Sequence, residues 1–382
     1  MTETGFYRRP LPAGQVPFAS DEGRALFREA MESGGLEGYF ALAEQFHTQA
    51  EPAFCGLGTL VVALNALAID PGRVWRGPWR WYGEEMLDCC EPLDRVRNQG
   101  VTLDQLACLA RCNGAHVELQ RAEDATIDAF RAEAKATTSS ASGAVLVVGY
   151  TRRALGQTGD GHFSPIGGYH HARDLALVLD VARFKYPPHW VPVRDLFEAM
   201  RPIDPATGRS RGWLRLTRGR GPSPLVYFVS CKAHSCGEVA RGLGSGLRAA
   251  LADARPETVD DVLTLLLRAV APIAGAFTVR PSGEGPVHDT VQRLLEEVRA
   301  TEAYRRVSVL SRELPAEAGA LLAMTIPLAS FGSIAPDALR AVRELRDPQR
   351  LSPMLREELE RLADQLENLL ELGAASPVAP AR

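Results

Sequence analysis

The chain changes character partway along its length, and that change asks for more than one folding unit. All five tryptophans (Trp75, Trp79, Trp81, Trp190 and Trp213) precede residue 220. All seven cysteines precede residue 237, and residues 237–382 contain neither residue type. The turn-rich sequence RGRGPSP at 218–224 sits where the composition shifts. A length of 382 residues suits two domains. The expected boundaries are 1–221 for a first domain, 222–236 for a joining segment with a strand and a Cys-His-Cys run, and 237–382 for a second domain.

Bulk properties exclude several classes. Hydrophobic residues at 46% and charged residues at 24% match an ordinary globular protein, which rules out a disordered chain, a collagen or a coiled-coil rod. With 43 Lys and Arg against 47 Asp and Glu, the net charge is -4, so there is no basic field for generic nucleic-acid binding. No run of eighteen apolar residues offers a transmembrane helix, and no membrane association is expected. The start of the chain, MTETGFYRRPLPAGQVPF, has no apolar h-region of a secretory signal. An odd number of cysteines argues against a fully paired disulfide framework. The expected setting is therefore a reducing cytoplasm with free thiols.

The first part reads as mixed helix and strand. In GLGTLVVALNAL (56–67), Leu57, Leu60, Val61, Leu64 and Leu67 recur at helical spacing and form one apolar stripe, which Pro71-Gly72 stops. Thr102 followed by Gln105 predicts a capped helix that Gly114 closes. The runs at 144–150, 175–182 and 224–231 are short and rich in β-branched residues, and are expected to be strands. Helices first and strands later indicate an α+β domain. The second part shows helical spacing at 236–254, 256–273, 288–303 and 353–372.

Four residues of the first part could share one chemistry. Cys55 stands directly before the 56–67 helix, where unpaired N–H groups and the helix dipole favour thiolate. Gly56 and Gly58 beside it let a backbone or a substrate come close. His162 lies among small residues in TGDGHFSPIGGYH. Asp180 sits in the apolar run LVLDVARF, where a carboxylate needs a partner, and a hairpin would bring it beside His162. Gln49 lies six residues before Cys55 and could donate to an oxyanion. Each alone has an ordinary structural explanation. Together, their order and context are those of a papain-like cysteine enzyme.

The runs FHTQAEPAFCGLGTLVVALNALAIDPGRVWRGPWRWYGEEMLDCCEPL (46–93), QTGDGHFSPIGGYH (157–170) and LVLDVARFKYPPHWVPV (177–193) resemble the phytochelatin synthase family. The resemblance starts near Tyr7-Arg8-Arg9-Pro10 and extends to about residue 220. It implies a papain-like catalytic domain acting on glutathione, with Cys55, His162 and Asp180 catalytic and Gln49 in the oxyanion hole. It also implies that Asp204 and Arg211 grip the γ-glutamyl amino and carboxylate groups. The family's cysteines match Cys55, Cys89, Cys90, Cys108 and Cys112. No organic cofactor is implied. Cd²⁺ or Zn²⁺ enters as a metal–glutathione thiolate that serves as co-substrate.

Arg183, Lys185 and Tyr186 follow Asp180 closely and could bind the acceptor's carboxylates; a solvated basic loop is the plain alternative. Cys231, His234 and Cys236 could hold a soft metal, although three ligands are incomplete. Cys108 and Cys112 are spaced to meet on one helix face, whereas neighbouring Cys89 and Cys90 should point apart, and ordinary packing is expected for all four. The aromatic and basic run from Arg73 to Tyr82 reads as a packed loop. The thiol-free second domain is expected to stabilise the catalytic domain or a homodimer. Transfer of a γ-Glu-Cys unit is the favoured activity; hydrolysis of glutathione or its conjugates by the same residues is the alternative, and a non-enzymatic metal buffer the weakest reading.

Overall fold

The computed structural model describes residues 8–72, 74–139, 143–219, 227–229, 236–279, 286–327 and 334–375. The chain forms two compact units. One comprises Met1–Asp88 and Pro92–Gly221, the other Cys89–Glu91 and Pro222–Arg382.

The first unit is built on an antiparallel seven-stranded sheet. Its strands are β1 (Val16–Pro17), β2 (Ala115–Arg121), β3 (Ala144–Thr151), β4 (Gly161–His170), β5 (Leu175–Val178), β6 (His189–Pro192) and, after the small hairpin of β7 (Ile203–Asp204) and β8 (Arg209–Ser210), β9 (Gly212–Arg218). The spatial order is β1-β6-β5-β4-β3-β9-β2. The helices of this unit are α1 (Asp21–Glu32), α2 (Tyr39–Gln45), α3 (Cys55–Ala66), α4 (Leu93–Gln99), α5 (Leu103–Cys112), α6 (Ile127–Thr138) and α7 (Val193–Met200). Residues 145–151 of β3 are all buried, so the strand is covered on both faces and its apolar run does not alternate with polar residues. Phe130 of α6 and Phe197 of α7 close one side of the core over Leu146, Val148, Tyr150 and Trp213.

Several expectations change on contact with the fold. Residues 56 to 65 of α3 are all buried, so the helix is enclosed rather than striped. The strand expected over 175–182 stops at Val178. Asp180 ends it by turning back on the chain: its Oδ1 accepts the Ala182 N–H at 2.9 Å. Only Tyr227–Val229 of the third expected strand falls within the described residues, as β10. The 74–82 segment is not packed down. Trp79 is 72% exposed, because the Trp75 N–H to Trp79 carbonyl bond makes a tight projecting turn. Tyr82 alone of its aromatics is deeply buried.

The second unit is mainly helical. It contains α8 (Cys236–Arg241), α9 (Leu247–Ala254), α10 (Val259–Val270), α11 (Pro286–Ala300), α12 (Glu302–Leu310), α13 (Ala316–Thr325), α14 (Pro336–Glu344) and α15 (Pro353–Ala375). β10 pairs with β11 (Phe277–Val279). A π-helical turn at Gly242–Gly246 joins α8 to α9.

The capped helix at Thr102 shows its box in full. The Gln105 N–H donates to Thr102 Oγ1 at 3.3 Å, and the Thr102 N–H donates to Gln105 Oε1 at 2.7 Å. Replacing Thr102 by Ala leaves the Gln105 N–H without its cap. Thermal or urea unfolding should show a loss of about 1 kcal/mol.

Candidate active site

The site gathers where the start of α3 meets β4 and the turn after β5. Cys55 is the first residue of α3 and is half-buried. The backbone of Phe163, one residue beyond His162, favours the ionised sulfur. His162 stands near the start of β4, opposite Tyr150 of β3, and its ring meets the Tyr150 ring edge-on at 5.6 Å. His162 Nε2 lies 3.0 Å from Asp180 Oδ1. Nε2 therefore faces the carboxylate at ion-pair distance, and Nδ1 is the other ring nitrogen.

A fourth residue completes this cluster and escaped the sequence reading. Arg152 follows β3 directly, is 3% exposed, and places its guanidinium 2.8 Å from Asp180 Oδ2. It also donates to Gln157 Oε1 at 2.5 Å. Gln157 in turn meets His189 Nε2 at 3.0 Å and donates to Gln15 Oε1 at 2.8 Å. The Tyr186 ring lies under the Arg152 guanidinium, 5.0 Å from its centre. The sequence signal was an arginine directly after a continuous apolar run, in VLVVGYTR.

The electrostatics follow from burial. Burial pushes the Cys55 thiol up, although the Phe163 N–H and Arg152 pull the other way. The thiolate expected from the helix terminus is therefore not the resting form; desolvation outweighs the dipole. Burial, reinforced by Arg152, pushes His162 down to about 4. Burial alone would raise Asp180, but the attraction of His162 and Arg152 holds its carboxyl well below the usual carboxylate range. Near neutral pH His162 is uncharged, so Arg152 is the cation that keeps the buried Asp180 ionised. The resting site is a neutral thiol and imidazole beside an Arg–Asp ion pair.

Gln49 is buried, and its backbone N–H donates to Val181 O at 3.0 Å. Its amide Nε2 donates to the carbonyls of Glu51 and Pro52 at 2.7 and 3.0 Å. Asp204, in the β7–β8 hairpin, and Arg211 come together with 3.7 Å between Oδ2 and the guanidinium. Arg211 also presses on Gly161, the neighbour of His162: a Cβ there would lie 3.2 Å from its guanidinium. Arg183 is exposed and stacks over the Phe46 ring at 4.8 Å. Lys185 is half-buried, and burial lowers its pKa, with Arg152 adding to the effect. Tyr186 is buried, and its hydroxyl accepts the Thr158 N–H at 2.8 Å.

The remaining thiols divide. Cys231 and His234 lie outside the described residues, and only the backbone of Cys236, which opens α8, lies within them. The Cys89 and Cys90 sulfurs are 3.9 Å apart and do not point away from each other. Cys108 is disulfide-bonded, so the expectation that every thiol is free does not hold.

Cys55 at the start of α3, with a buried histidine–carboxylate pair at the strand packed against that helix, is an arrangement suited to a cysteine nucleophile. The phytochelatin synthase family pattern matches residues 6–213, and the chain belongs to that family. It is 48% identical over 269 residues to glutathione gamma-glutamylcysteinyltransferase 3 of Lotus japonicus, covering 70% of this chain and 56% of the relative. It is 46% identical over 271 residues to glutathione gamma-glutamylcysteinyltransferase 1 of Arabidopsis thaliana, covering 71% and 56%. The Schizosaccharomyces pombe glutathione gamma-glutamylcysteinyltransferase is 47% identical over 211 residues, covering 55% and 51%. The matched part thus spans little more than half the length of these relatives.

Two outcomes test the electrostatic account. Arg152→Met leaves Asp180 as an uncompensated buried charge, and unfolding measurements should show a loss of about 3–5 kcal/mol. The second concerns pH. His162 is ordinary when unfolded and held to about 4 when folded, so between roughly 6.5 and 4 the unfolded chain binds the extra proton. Its contribution makes stability rise with pH across that window and fade as pH falls. The difference in unfolding free energy between the wild type and His162→Asn, followed against pH, should carry this slope.

Proposed function

We propose that the chain is a glutathione γ-glutamylcysteinyltransferase whose first unit has a papain-like fold. A cysteine at a helix N-terminus, a histidine on an antiparallel sheet with an aspartate just past the end of the neighbouring strand, and family membership support this reading. The observation that carries it is His162 of β4 standing 3.0 Å from the buried Asp180, on the strand packed against the helix that Cys55 opens.

The chemistry follows from these groups. Glutathione enters with its γ-glutamyl amino group toward Asp204 and its carboxylate toward Arg211. As Cys55 Sγ attacks the carbonyl carbon of the cysteinyl–glycine amide, His162 takes the thiol proton. The charge that develops on the carbonyl oxygen meets the backbone N–H of Cys55 and the Gln49 amide, which turns one hydrogen away from its backbone carbonyls. The tetrahedral intermediate collapses, the C–N bond breaks, and His162 gives its proton to the departing glycine amine. A γ-Glu-Cys thioester remains on Cys55. The γ-glutamyl amine of a second glutathione, or of a growing chain, then attacks the thioester. His162 takes the amine proton and returns it to sulfur, and the product is (γ-Glu-Cys)n-Gly.

Transfer outpaces hydrolysis only if the acceptor is held close. Arg183 and Lys185 supply cations for its carboxylates, and Tyr186 sets the floor beneath Arg152. Cd²⁺ or Zn²⁺ acts as substrate, in thiolate complexes of glutathione, and the product serves metal detoxification. A thiol nucleophile and thiol substrates both favour a reducing cytoplasm. Among the described residues no helix is long and apolar enough to cross a membrane.

Mass spectrometry of products tests the proposal. The protein is incubated with millimolar glutathione, with and without Cd²⁺, beside Cys55→Ser. Glycine-terminated γ-Glu-Cys oligomers should form with the wild type and not with the variant. Free γ-Glu-Cys and glycine without oligomers would instead assign a hydrolase, and absence of glycine release would remove the acyl-transfer reading.

A further inference from the structure

Gln49 presents a difficulty for an oxyanion donor. Both hydrogens of its amide are taken by carbonyls of its own loop, those of Glu51 and Pro52. Its side chain is therefore not aimed by any partner across the site. Its position has to come from the backbone, and two main-chain bonds hold that backbone. The Gln49 N–H donates to Val181 O at 3.0 Å. The Ala50 N–H donates to Glu84 Oε2 at 2.9 Å.

Glu84 is an unusual choice for that second anchor. It is only 5% exposed, and it comes from a short 3-10 turn, Glu84–Met86, more than thirty residues further along the chain. Its other oxygen, Oε1, is buried and has no hydrogen-bond partner among the described residues. That oxygen faces the first turn of α3: a Cβ on Gly58 would lie 2.8 Å from Glu84 Oε1 and 3.1 Å from the Gln49 Cβ. His47 borders the same place, with Nε2 3.3 Å from Gly58 O and 3.8 Å from Glu84 Oε1. Three pieces of chain therefore converge on the glycine three residues beyond the nucleophile: the Gln49 loop, the Glu84 carboxyl and α3 itself.

We propose that Glu84 is a positioning residue for the oxyanion hole, clamping the Gln49 loop against the first turn of the Cys55 helix. The clamp sets where the Gln49 amide stands relative to the Cys55 N–H, and so how well the two converge on one oxygen. It touches neither substrate nor reacting atoms. It explains the glycine at 58 by the approach of Gln49 and Glu84, not by the approach of a substrate. It also gives a buried carboxyl a task, which the ion pairs and packing around it do not.

Protonation bears on the clamp. Burial pushes Glu84 up to about 7, with Glu85 and Glu51 adding to the effect. The groups facing it are His47, Glu85 and Glu51; His47 is itself lowered by burial and by Arg183. Glu51 is drawn off toward Arg97 at 3.4 Å. An ionised Glu84 accepts the Ala50 N–H more strongly than a neutral one, so the clamp tightens as pH rises through neutrality.

The inference rests on the acyl-transfer reading and on Gln49 as oxyanion donor, and the experiment separates the layers. Steady-state glycine release from glutathione is measured for the wild type, Glu84→Leu, Glu84→Gln, Gly58→Ala, Gln49→Ala and the double variant Glu84→Leu/Gln49→Ala. Gln49→Ala should lower kcat by about 10²–10³. Glu84→Leu should lower kcat about tenfold or more, with KM within a few-fold, as for an interaction made only in the transition state. Glu84→Gln keeps an acceptor for the Ala50 N–H; it should recover most of kcat and lose the ionisation near neutrality from the kcat–pH profile. On the Gln49→Ala background, Glu84→Leu should cost almost nothing further. Gly58→Ala, which leaves every polar group in place but wedges the clamp apart, should reproduce the Glu84→Leu kinetics and keeps the test open should Glu84→Leu fail to fold. A wild-type kcat in folded Glu84→Leu or Gly58→Ala overturns the proposal, as does a full additional loss in the double variant. An unchanged kcat in Gln49→Ala with glycine still released removes Gln49 as donor and leaves acyl transfer standing. Loss of glycine release in the wild type itself removes the acyl-transfer reading.

Discussion

The Arg152–Asp180 ion pair is the interaction on which the catalytic arrangement depends. Asp180 is fully buried, and its ionised form is held there by His162 and by the Arg152 guanidinium 2.8 Å away. The ionised carboxylate in turn faces His162 Nε2 at ion-pair distance. Remove the positive partner and desolvation favours a protonated Asp180, which would no longer fix the imidazole tautomer. The pair is itself held from behind by Gln157, Gln15 and His189, so the orientation of one histidine reaches back to a loop before β1 and to the start of β6.

The same burial determines the state in which the site waits. A helix N-terminus alone argues for a thiolate, whereas the enclosed sulfur argues for a thiol, and desolvation is the larger effect. The proposed proton transfer to His162 at the moment of attack suits that balance. A standing thiolate–imidazolium pair would need His162 protonated near neutrality, and burial with Arg152 opposes this.

Much of this was legible in the sequence, and the reasons for the rest are physical. The apolar run before Pro71, the Thr102 capping box and the β-branched run at 144–150 each carry a local signal, and each became an element at nearly the expected place. The Cys55, His162, Asp180 and Gln49 set was proposed from order and spacing. Arg152 and Glu84 were not, because their roles depend on which distant backbone or carboxylate they meet, and charge alone does not encode a partner. The strand end at Val178 was missed for a related reason: the Asp180 side chain competes locally with the ladder, which apolar patterning ignores.

A protonated, half-buried sulfur has a consequence for a protein whose proposed substrates are metal thiolates. A soft cation bonds to thiolate, so capturing Cys55 requires expelling its proton first, and every upward push on the thiol makes that exchange less favourable. The enclosure that delays ionisation thus acts as chemical selectivity. It biases soft cations toward thiols that ionise more readily than Cys55.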